Sequence, residues 1–122
     1  MSLKYLDFDH SEDTGGCHTF EAMASTGPAQ AEAVRAEVVT VLHWAHVHFP
    51  EGRGPLDEGF DWDVDLQGLQ EVARVESLDY DPASGALAVS LGAPGVPRHT
   101  VTLALTGSDA FAEAFRARFL LE

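Results

Sequence analysis

The spacing of apolar residues changes period several times along the chain, and each change predicts an element. Across residues 60–66, Phe60, Trp62, Val64 and Leu66 alternate with Asp61, Asp63 and Asp65. A period of two is that of a half-buried strand, with large apolar groups on one side and three carboxylates on the other. Residues 5–9, with Leu6 and Phe8 on one side, and residues 19–25, with Phe20, Ala22 and Ala24, predict two earlier antiparallel strands. The polar stretch between them ends in Gly15-Gly16 and reads as a loop. Over residues 28–48 the period becomes helical. Val34, Val38, Val41, Leu42, Ala45 and Phe49 share one stripe, with Thr26-Gly27-Pro28 as the start signal and Pro50 as the stop.

Beyond the acidic strand, residues 66–73 place Leu66, Leu69, Val72 and Ala73 at helical spacing but include Gly68. One helical turn is the most they predict. Residues 75–80, 86–91 and 100–106 alternate again and predict a meander whose first turn is Asp81-Pro82-Ala83-Ser84-Gly85. Ser108 then caps a closing helix carrying Phe111, Phe115 and Phe119 on one face. The order β-β-α-β-β-β-β-α predicts an α+β fold, an antiparallel sheet of about five or six strands with two helices packed on one face. With no repeat and no linker, residues 1–122 are expected to form one domain.

Charge narrows the function classes. Twenty acidic residues against 7 basic ones give a net charge of -13, while 45% hydrophobic residues argue for a folded core. Such a surface repels phosphate backbones and anionic lipid, so neither nucleic acid nor membrane is an expected partner. It attracts a basic or amphipathic protein segment. Cys17 is the single cysteine, which excludes an internal disulfide. Nothing near the start combines basic residues with an apolar run as a secretory leader does, and a cytoplasmic location is expected.

Four constellations are candidates for function. Asp61, Asp63 and Asp65 would form an acidic ladder for protein binding; as a calcium loop they fail, because Leu66 and Val72 stand where glycine and glutamate are needed. His43, His46 and His48 crowd the end of the long helix. His43 and His46, three apart, would share zinc or another divalent transition metal with a carboxylate such as Asp57, although no fixed metal-binding spacing is present. As ordinary histidines at a helix end they need no such role. A further set, His10, Cys17 and His18 with Glu12 and Asp13, matches no zinc spacing, and the electropositive setting of a reactive thiolate is missing around Cys17. Finally, Thr40, Trp44 and Val47 continue a second stripe of the long helix opposite the core, which is either sandwiched within the fold or the interface of a homodimer.

Small acidic α+β domains occur among secretion chaperones and among immunity proteins that neutralise basic toxins. That likeness is one of size and charge and covers no motif here, so the acidic surface itself carries the reading. The expectation is therefore a non-enzymatic binding module, chaperone-like or inhibitor-like, that needs no cofactor and acts through an acidic surface. The alternative is a small metal-binding protein or metal-dependent enzyme built on His43 and His46.

Overall fold

The computed structural model describes residues 3–120. Its elements are β1 (Asp9–Glu12), β2 (His18–Thr26), α1 (Pro28–His48), β3 (Trp62–Glu71), β4 (Arg74–Asp81), β5 (Ala86–Pro94), β6 (Arg98–Gly107) and α2 (Asp109–Phe115). A single 3-10 turn spans Leu56–Glu58, and a π-helical turn over Arg116–Leu120 ends the described chain. The strands form an antiparallel four-stranded sheet in the order β1-β2-β6-β3 and a separate two-stranded sheet, β4-β5. The α+β class and the predicted order of elements are those observed, but the meander divides. Its first two strands leave the main sheet as a free hairpin.

Helix α1 begins at Pro28, whose missing N–H costs nothing in a first turn, and closes when the Phe49 amide donates to the Ala45 carbonyl at 2.9 Å. Val34, Val38, Val41 and Ala45 are buried against the sheet, as their stripe predicts; Leu42 and Phe49 are half-buried. Trp44 is buried as well, because α2 supplies a second wall. Its ring meets Phe111 and Phe115 edge-on, with centroids 5.9 Å away in each case. Phe20, Trp62, Leu103, Leu105, Phe111 and Phe115 have no exposed surface and form the centre of the core. Trp62 stacks on Phe111 with the ring planes 10° apart.

Two predicted elements differ. Leu6 and Phe8 are buried, but residues 5–8 are not strand. The Glu37 carboxylate on α1 accepts from the amides of Lys4 (2.8 Å), Tyr5 (3.0 Å) and Leu6 (2.9 Å), so this extended segment is pinned to the helix. The ladder to β2 starts only at Asp9, paired with Glu21. Residues 66–71, predicted to make at most a helical turn, instead continue β3. Each finds a partner on β6, from Leu66 opposite Leu103 to Glu71 opposite Arg98. Tertiary pairing overrides a helical spacing that Gly68 already weakens.

The closing helix is placed by two short bonds. The Ser108 amide donates to the Asp61 carbonyl at 2.8 Å, and its hydroxyl donates to an Asp61 carboxylate oxygen at 3.0 Å. The same hydroxyl accepts from the Phe111 amide, capping α2 as predicted.

Candidate functional site

Both helices lie on one side of the sheet, which leaves the other side open. Pairing register fixes what that bare face displays, since residues directly opposite one another point the same way. Asp9 lies opposite Glu21, Glu21 opposite Ala104, and Ala104 opposite Asp65. Three carboxylates from three strands therefore share one row. The next row runs Ser11, Thr19, Thr106, Asp63. Further along, Met23 and Leu69 are 67% and 57% exposed, as residues of an uncovered face are.

The predicted ladder is present in part. Asp63 and Asp65 stand on the open face, and Arg53 approaches Asp63 at 3.6 Å. Asp61 precedes the strand, and its carboxylate is occupied with Ser108. Glu21 and Asp9 are the members that sequence reasoning missed. Only the pairing of strands distant in the chain brings them beside Asp65, although the alternation over residues 19–25 already turned Glu21 away from the core.

The helix-end histidines are all exposed. His43 and His48 border one shallow depression with Val39, Thr40, Trp44, Val47 and Arg118. His46 lies edge-on to Trp62, with ring centroids 5.1 Å apart. His48 turns back so that its Nδ1 is 3.1 Å from the Trp44 carbonyl. Among the described residues, His43, His46, His48 and Asp57 are not gathered into a metal-binding group. Of the stripe predicted for a homodimer, Val47 is exposed and Thr40 half-buried, whereas Trp44 is sandwiched within its own chain.

Ligand-type side chains converge elsewhere, where Glu12, His18 and Asp109 bring one donor atom each within 4.8 Å of one another. His18 is buried. Its Nε2 is 2.7 Å from Asp109 and 3.9 Å from Glu12, and its Nδ1 is 2.9 Å from His10 Nε2. With Asp109 ionised, His18 donates from Nε2, so in neutral His18 the Nδ1 accepts the His10 N–H. Partial desolvation of its ring, then repulsion from a protonated His18 and from Arg116, hold His10 below the usual histidine value. The chain His10–His18–Asp109 ties β1, β2 and α2 together, and both nitrogens of His18 are used in doing so.

A second bare surface lies beyond the core. A groove of about 460 Å³ between α1 and β3 is lined by Arg35, Val38, Val39, Leu66, Gln67, Gly68 and Val101. The β4–β5 hairpin adds an apolar face of its own. Tyr80 opposes Leu87, Leu78 opposes Val89 and Glu76 opposes Leu91. The five apolar members of that face are 56–62% exposed.

Compared with protein-family models, curated proteins and solved structures, the chain matches none. No helix among the described residues is long and apolar enough to cross a membrane.

Proposed function

We propose that this protein is a non-enzymatic binding module that receives a basic or amphipathic segment of another protein on the open face of its four-stranded sheet. The row Asp9, Glu21, Asp65 carries the reading. Like charges placed directly opposite on neighbouring strands destabilise a sheet, and Asp9 and Glu21 are such a pair. Arg53 approaches Asp63 in the neighbouring row. A cationic partner laid across the strands would supply countercharge to Asp9, Glu21 and Asp65 together, while Met23 and Leu69 offer apolar footholds on the same face.

The test uses a labelled amphipathic lysine–leucine peptide as probe, with a glutamate–leucine peptide as control. Fluorescence anisotropy should report binding of the first alone, weakening steeply as salt is added. Combining Asp65→Asn with Glu21→Gln should weaken that binding by about 3- to 30-fold, since partly exposed charges contribute up to about 1 kcal/mol each. The same pair of changes should leave the free protein as stable or slightly more stable, because it relieves repulsion within the row. Binding that ignores both salt and these substitutions would sink the reading.

A further inference from the structure

We infer that the β4–β5 hairpin is an exchanged arm: its apolar face lies in the α1–β3 groove of a second copy of the chain, and the second copy's hairpin lies in the first.

The hairpin lacks support of its own. It shares no ladder with the four-stranded sheet, and a lone two-stranded hairpin is at best marginally stable in water. Residues 72–73 and 95–97 separate it from β3 and β6, bridged by the Gly95 amide donating to the Ala73 carbonyl at 2.8 Å, and a register shift follows between Arg74 and Glu76. Its two faces nevertheless differ as those of a half-buried pair do. One carries Tyr80, Leu87, Leu78, Val89 and Leu91 around Glu76; the other carries Asp79, Ala88, Ser77 and Ser90. A sheet with one apolar face is built to cover something.

The same chain offers a matching surface that its own hairpin leaves bare. In the groove Val39 is 64% exposed and Leu66 49%. Gly68 leaves a gap in the apolar face of β3, for a side chain added there would meet nothing within 4 Å. The charges also match, since Arg35 is the one ionised residue lining the groove and Glu76 the one ionised residue of the hairpin face.

Three quantities favour a second copy as the occupant. Residues 66–98 hold 4 acidic and 2 basic residues, a net of -2 within a chain of -13, so self-contact here escapes most of the repulsion that the rest of the surface imposes. An exchange of arms is self-complementary, as a two-fold dimer requires. Each hairpin face carries five apolar side chains that are 56–62% exposed, and a two-fold exchange covers two such faces at once, as the core of a stable interface requires. The acidic rows lie on the opposite side of the sheet from the groove, and the dimer would present both of them outward.

Sedimentation velocity on the full chain tests this. Wild type should sediment at twice the 13.1 kDa chain mass at micromolar concentration. Leu78→Asp, on the apolar face of the hairpin, should weaken dimerisation by about 30-fold or more, the effect of losing a central interface anchor. Ser77→Asp, on the other face, should leave the dimer intact. Gly68→Leu fills the groove from within. Because the monomer has room for that side chain, it should fold as wild type does by circular dichroism yet sediment as a monomer. If Leu78→Asp fails to fold, Gly68→Leu alone decides between monomer and exchanged dimer. A monomeric wild type, or a folded Gly68→Leu protein that dimerises normally, overturns the inference.

Discussion

Strand β3 belongs to two regions with opposite fates. At its start, Trp62 and Val64 face a wall of aromatics contributed by α1, α2 and β2, and Trp62 is wholly buried. Two residues beyond Val64, Leu66 lies on the same face in the same ladder with Leu103 opposite it, yet half its surface is exposed. Past Gly68 and Gln70, regular apolar alternation resumes in the hairpin with nothing packed against it. Alternation therefore records which side of a strand is apolar, while burial depends on what the rest of the chain delivers to that side. The packed end receives two helices; the arm receives none from its own chain.

The sharpest way to break this contrast is to truncate one large apolar residue in each region. Phe111 is wholly buried and stacked on Trp62, so Phe111→Ala should cost about 3–5 kcal/mol, the usual range for an emptied aromatic site in a core. Leu87→Ala removes a side chain that is 56% exposed, and in the monomer it should cost less than about 0.5 kcal/mol. Urea unfolding at concentrations low enough to keep the chain monomeric measures both. Equal losses would mean that the hairpin is packed against its own body.

The two regions were unequally legible in the sequence. Helix α1 was legible from end to end, since an apolar stripe, a proline start and a proline stop all agree over 21 residues. The hairpin turn was equally plain, as Asp81, Pro82 and Gly85 each meet a local geometric need. The extension of β3 through residues 66–71 was not, because it depends on β6, about thirty residues further on. The main-sheet order β1-β2-β6-β3, and with it the row joining Asp9, Glu21 and Asp65, depends on the same long-range pairing. Trp44 looked outward on a helical wheel because the wheel knows nothing of α2. The His18–Asp109 contact joins residues 91 apart and left no local trace.

Within the packed end, Glu37 separates polar fastening from apolar filling. Its carboxylate gathers three amides of the segment that carries Leu6 and Phe8 into the core. Charge-assisted hydrogen bonds of this kind contribute about 1.5–3 kcal/mol, so Glu37→Ala should cost roughly that much, clearly less than Phe111→Ala. Hydrogen exchange should speed up at Lys4, Tyr5 and Leu6 while the centre of α1 stays protected. Uniform loss of protection would show that the segment is integral to the core and not merely fastened to it.

The smallest effect belongs to the tip of the arm, where solvent leaves little to lose. Asp81 accepts from the Ala83 amide at 2.9 Å and from the Ser84 hydroxyl at 3.0 Å, and Gly85, at φ 73°, closes the turn. These bonds, the Ala83 amide foremost, favour the charged carboxylate and lower its pKa from the ordinary 3.8. A carboxyl group whose pKa falls on folding stabilises the folded form above its ordinary value, and that contribution disappears as pH drops through the lowered one. Acidification should therefore loosen the turn before it affects the core, and Asp81→Asn should reproduce this at neutral pH. Amide exchange in the monomer should rise at Ala83, Gly85 and Ala86 with the overall unfolding midpoint unchanged. A shift in that midpoint would couple the arm to the packed end within a single chain and erase the difference between the two regions.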